Sequence, residues 1–216
     1  MENYQTDKPA TPDFVADVKE FYSRDFKALL VLFFQNPVNG LQTVFSNPPA
    51  KGFQHALIIF GSVFVLYFAG SYLIAGEMRD YMRFSSLLLI ALAPVFIMAA
   101  IAGLSFGIKL TTGKADFKSE LLTGALCGLP LGMMMLMALA LRLLGEGINP
   151  FTFFSSPLSG GWLMTLLVLY FFLMMVNVFQ QSLRSAGLND SLAWYLSPAS
   201  ILVALYVGAS VAGNLF

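Results

Sequence analysis

The sequence predicts an all-α polytopic membrane protein, with five transmembrane helices preceded by an amphipathic interfacial N-terminal helix. Three observations carry this. Of 216 residues 57% are hydrophobic and 11% charged, against about 25% charged in an ordinary soluble domain, and mean hydropathy is +0.74. Five apolar runs reach the roughly 20 residues a bilayer core requires: about Ala56–Ala75, Phe84–Ile108, Leu121–Leu144, Gly161–Phe179 and Leu192–Phe216. Small residues recur at four-residue spacing in three of them: Ala99, Gly103 and Gly107; Gly124, Gly128 and Gly132; Ala204, Gly208 and Ala212. On a helix each set forms one stripe. In lipid such stripes let backbones approach, and packing is what holds apolar helices together there. The three helices are therefore expected to pack through their small faces.

The chain divides into a polar head, 1–52, carrying interfacial amphipathic helices, and a five-span bundle, 53–216. Met1–Ala10 is polar, with Glu2 and Asp7, so no leader peptide is expected. Thr11-Pro12-Asp13 suits a helix start: a capping hydroxyl, a first-turn proline, then an acid at the positive dipole end. Phe14, Val18, Phe21, Tyr22, Phe26, Leu29, Leu30 and Phe33 then recur at helical spacing opposite a charged face. This apolar face is expected to meet the membrane surface or a docking partner, its last turn dipping into the leaflet. Gln35-Asn36-Pro37 breaks the helix, because a residue before proline resists the helical region. Val38, Leu41 and Phe45 suggest a second short interfacial helix, closed by Asn47-Pro48-Pro49. The head either shields the end of the bundle or forms a platform for a cytoplasmic protein.

Within hydrocarbon every backbone polar group needs an internal partner, so each apolar run should be helical. Tyr67, Tyr72, Tyr81, Trp162, Trp194 and Tyr195 lie near run ends, as an aromatic belt would place them. Pro94, Pro130 and Pro198 fall inside three runs and should bend them. Basic residues orient the bundle with its N-terminus cytoplasmic and its C-terminus outside. Lys51, Lys109, Lys114, Lys118 and Arg184 flank the inner ends, against Arg79, Arg83 and Arg142 outside. The stretch Gly145–Gly160, with three phenylalanines, becomes an outer loop resting on headgroups or folded into the bundle.

Composition excludes several functions. Net charge is formally zero, so no basic field points to nucleic acid. Metal sites need clustered His, Cys, Asp or Glu, and the chain has one histidine, His55, and one cysteine, Cys127, far apart in sequence. Cys127 reads as a core filler. The runs' central portions lack Asp, Glu, Lys and Arg, the groups that ion-coupled transport places in membranes. No enzymatic activity, cofactor or metal is expected.

The proline-punctuated approach Asn36-Pro37 to Asn47-Pro48-Pro49 leads into five spans. The loop Leu110–Glu120 then runs into a third span carrying Gly128-Leu129-Pro130. Together these resemble the Yip1-domain family, especially its prokaryote-type members, over roughly Phe33 to Phe216. The resemblance implies a five-span, non-enzymatic membrane protein with a cytosolic N-terminus. Eukaryotic members associate with prenylated Rab-type GTPases in vesicle traffic. They carry an Asp-Leu-Tyr/Trp-Gly-Pro signature near the first span, where this chain has Asn47-Pro48-Pro49-Ala50-Lys51-Gly52, so the GTPase role does not carry over.

Two functions lead, and an intramembrane enzyme would need His55 or Arg142 to face a buried serine or a metal. One is a structural, adaptor or membrane-organising protein acting through its cytoplasmic face, with the lipid bilayer and a cytoplasmic protein as partners. The alternative is a permeation or transport component for an uncharged or lipidic substrate. In that case the prolines would open a cavity lined by Ser105, Thr123, Asn177 and Ser200. The stripes are expected to be satisfied within one chain, a homo-oligomer being the less favoured arrangement.

Overall fold

The computed structural model describes residues 14–47, 49, 51–76, 83–144 and 161–214, and these form helices joined by short turns, without strands among them. The head comprises α1 (Phe14–Glu20), a π-helical turn (Phe21–Asp25), α2 (Phe26–Gln35) and α3 (Asn39–Ser46). Five long helices follow: α4 (Gly52–Ala75), α5 (Phe84–Leu110), α6 (Phe117–Leu144), α7 (Gly161–Ser185) and α8 (Asp190–Asn214). All five are long and apolar enough to cross a membrane, so the chain is a multi-pass integral membrane protein. The Thr11-Pro12-Asp13 start and the Gly145–Gly160 loop lie outside the described residues.

Local chemistry accounts for the turns at the head end. Asp116 caps α6, its carboxylate accepting from the Lys118 and Ser119 amides at 3.3 and 3.2 Å, which satisfies two orphan donors of the first turn. The α7–α8 connection closes on Gly187, at φ +87°, a left-handed position that glycine adopts without steric cost. Asn189 then caps α8 through the Ser191 amide at 3.0 Å.

α6 is the buried centre. Every residue from Leu122 to Gly132 is buried, and α6 packs on α4, α5 and α7, with α8 set against α5 and α7. Gly124 and Gly128 are where α5 comes closest. A Cβ on Gly124 would collide with the Met98 carbonyl oxygen and stand 3.1 Å from Ala102 Cβ. One on Gly128 would collide with the Met98 methyl and lie 2.7 Å from its sulfur. Gly132 faces Leu66 of α4 with ordinary room, 3.6 Å. On α8, Ala204 is fully buried and Gly208 receives Ile97 of α5; the side chain of Ala212 lies outside the described residues.

The third stripe is a correction. Ala99, Gly103 and Gly107 on α5 are exposed, and a Cβ added at either glycine would meet nothing within 4 Å. At Gly124 the α5 backbone itself arrives, with the small Ala102 beside it, whereas at Gly128 and Gly208 a large α5 side chain, Met98 or Ile97, fills the gap. α5 thus packs through Ile97, Met98 and Ala102 and leaves its Ala99, Gly103 and Gly107 stripe turned outward. A further receptor of this kind, Gly70 of α4, takes the Met135 methyl.

Candidate functional site

The head is not a free amphipathic arm. Phe21 and Phe33 are buried, at 1% and 2% exposure, and belong to the main core, with Val18, Phe26 and Leu29 half-buried against it. Twelve residues are three and a third α-helical turns, so Phe21 and Phe33 on one uninterrupted α-helix would point different ways. The wider π turn between them brings both onto the bundle. Tyr22 keeps an exposed ring and its hydroxyl pairs with Ser62 of α4. The side chain of Phe14 lies outside the described residues. The face read from sequence as a membrane or partner surface is thus largely used inside the chain.

Charges fasten the head. Lys51 Nζ lies 3.0 Å from Asp17 Oδ1 and 2.8 Å from Glu20 Oε2, and His55 Nε2 lies 3.2 Å from Asp25 Oδ2 beside the Phe21 ring. The Lys51 hydrogen bond and charge hold the Glu20 carboxyl below its ordinary value, while Glu20 and Asp17 push the Lys51 ammonium up. Glu20 therefore contributes attachment above the ordinary carboxylate range and loses it as pH falls through its lowered value. Lys51 contributes below the ordinary lysine range and loses it as pH rises through its raised one. Accordingly Lys51→Glu, which sets a like charge against Asp17 and Glu20, should speed proteolysis within 14–35 several-fold, as read by peptide mapping. Wild-type cleavage should accelerate only as pH falls below the ordinary carboxylate range and Glu20 protonates.

A second set of charges lies inside the bundle at the same end. Lys109 of α5 and Glu120 of α6 are 4% and 1% exposed, with Nζ 2.8 Å from Oε1. Lys109 also donates to Ser182 Oγ of α7 at 2.7 Å. Ser105 and Thr123 donate to Glu120 Oε2 at 2.5 and 3.3 Å, and the Thr123 and Ser182 hydroxyls share a 2.7 Å bond. The Phe45 ring of α3 lies over the ammonium, its centroid 6.0 Å away, at the reach of a cation–π contact. One carboxylate, one ammonium and three hydroxyls so join α5, α6 and α7. Isolated charges do not survive such burial; a pair with its remaining valences hydrogen-bonded does.

The sequence places Lys109 among the flanking cations and Glu120 at the end of the Leu110–Glu120 loop, with nothing that pairs them; the structure buries both. Of the four residues named as a cavity lining, Ser105 and Thr123 come together here. Asn177 instead donates to the Pro37 carbonyl at 2.8 Å, and Ser200 is buried elsewhere on α8. Tyr67 leaves the aromatic belt and donates to the Leu131 carbonyl of α6 at 2.9 Å. Cys127 is fully buried, its thiol directed at the Met175 carbonyl. Among the described residues no three of His, Cys, Asp and Glu gather as a metal site.

Fold and site define a multi-pass helical membrane protein with a sealed charge cluster at its head end. Compared with protein-family models, curated proteins and solved structures, the chain matches none.

Proposed function

We propose that this protein is a non-enzymatic, Yip1-like structural or adaptor protein that organises the membrane through a cytoplasmic face built by its head. The observation that carries this is the fastening of the head, by Lys51 to Asp17 and Glu20 and by His55 to Asp25. A head held in place presents a fixed surface, and binding to a pre-ordered surface loses less freedom than binding to a loose arm. That surface keeps large apolar groups outward: Val15, Tyr22, Val31 and Phe34. Phe21 and Phe33, being core, are not its contact residues. Orientation rests on the basic residues. The inner flanking set is Lys51, Lys109, Lys114, Lys118 and Arg184, five against three outside. Lys19, Arg24 and Lys27 of the head add to the inner side.

The buried pair favours the transport reading as well, since ionisable groups within spans commonly mark pathways. Against it, both Glu120 oxygens are engaged and Lys109 has two hydrogen-bond partners, leaving the cluster bonded to itself. Photo-crosslinking residues placed at Val15 and Phe34 in native membranes decide between a protein and a lipid neighbour. The adaptor reading expects a stoichiometric protein adduct at one of these positions, abolished by Tyr22→Asp. Lipid adducts at both, with unaltered vesicle shape on reconstitution, would refute it.

A further inference from the structure

We propose that α3 is a hinged lid over the Lys109–Glu120 cluster, moving between the closed arrangement and one in which the cluster meets water. This holds whatever the head engages. Asn36 and Asn47 bracket α3 in non-helical conformations, at φ −141°, ψ 65° and φ −129°, ψ 72°, and each precedes a proline in the sequence. Because a residue before proline resists the helical region, α3 cannot fuse with α2 or α4 and stays a separate eight-residue unit. So short a helix has little stability of its own; what it packs against holds it.

That hold is small and mismatched. On the lid, Leu41 and Phe45 are buried, and the Asn177 amide of α7 ties the Pro37 carbonyl at its entrance. Polar groups lie beside this contact: the Lys109 ammonium under the Phe45 ring, the Ser182 hydroxyl bonded to it, and, at the Pro37 entrance, Gln181 bonded to the same Asn177. Gln181 donates to Asn177 Oδ1 at 3.2 Å, yet its own Oε1 has no hydrogen-bond partner among the described residues, in a side chain 1% exposed. A buried acceptor without a donor is costly. Opening would expose Leu41 and Phe45 and the half-buried Val44 while hydrating Gln181 Oε1 and the cluster. Opposing changes of this kind bring two arrangements of a packed element close in energy.

The test uses the full chain in lipid nanodiscs. Gln181→Cys is exposed to a charged thiol reagent and followed by peptide mass spectrometry. Cys127, fully buried at the centre of the bundle, reports global unfolding in the same molecules. The lid predicts that position 181 reacts while Cys127 does not. Adding Asn177→Ala should raise the rate about five-fold, as expected for one lost hydrogen bond. Reaction at 181 no faster than at Cys127, with or without Asn177→Ala, would overturn the proposal. Should Gln181→Cys fail to fold, hydrogen exchange on the unaltered chain decides. Amides of 39–46 exchanging faster than those of α4 support a lid, and equal protection overturns it.

Discussion

Replacing Lys109 with methionine should destabilise the folded bundle by about 3–5 kcal/mol, the usual cost of breaking a buried ion pair from one side. The variant leaves the Glu120 carboxylate at 1% exposure, with only the Ser105 and Thr123 hydroxyls to offset its charge. Ser182 loses the ammonium donor as well. Glu120→Leu should cost a similar amount by stranding the ammonium between Ser182 and the Phe45 ring. Unfolding free energies from SDS titration in mixed micelles give both values. A surface pair would behave otherwise: exposed ion pairs are worth about 0–1 kcal/mol, so losses that small would mean the cluster is open to water.

The second large effect is at Gly124. Gly124→Ala drives a methyl onto the Met98 carbonyl oxygen and against Ala102. Backbone cannot swing aside as a side chain can, so α5 and α6 must separate, at about 1–3 kcal/mol for overpacking. Gly208→Ala meets Ile97, a branched side chain with few rotamers to escape into, and should cost less. Gly128→Ala meets the far end of Met98, a flexible thioether that can turn away, and should cost least of the three. Gly103→Ala meets nothing within 4 Å; alanine's better helix propensity, about 1 kcal/mol, should leave it neutral or stabilising. The same titration ranks all four. Equal losses at Gly103 and Gly124 would mean that the inward and outward faces are misassigned.

The spans were legible because hydrocarbon imposes a length and a composition that a sequence displays directly. Helix ends were less so. The apolar runs stop at Ile108 and resume at Leu121, yet α5 continues through Lys109 to Leu110 and α6 begins at Phe117. A charge ends an apolar run, but a helix passes through it when a partner waits across the turn. A local signal for that was present. Ser105 and Lys109 stand four apart, Glu120 and Thr123 three apart, with a short connection between, so two polar faces of opposite charge are brought opposite each other. Ser182, on a distant helix, left no such trace. Small-residue spacing located the inward faces of α6 and α8 but not that of α5. Spacing marks where a backbone can be approached; it does not say whether a neighbour arrives. At Ala99, Gly103 and Gly107 none does among the described residues. In the head, the apolar period was visible, but the π turn that sends Phe21 and Phe33 inward together has no sequence mark that we could identify.

A double-mutant cycle on Lys109 and Glu120, in lipid, tests most directly that a sealed charge cluster joins α5, α6 and α7. With Lys109→Met, Glu120→Leu and the double variant measured together, the structure predicts a double loss smaller than the two single losses combined. The expected coupling is about 0.5–3 kcal/mol, as for residues in one network. Losses that simply add, within about 0.5 kcal/mol, would contradict the pairing and with it the site.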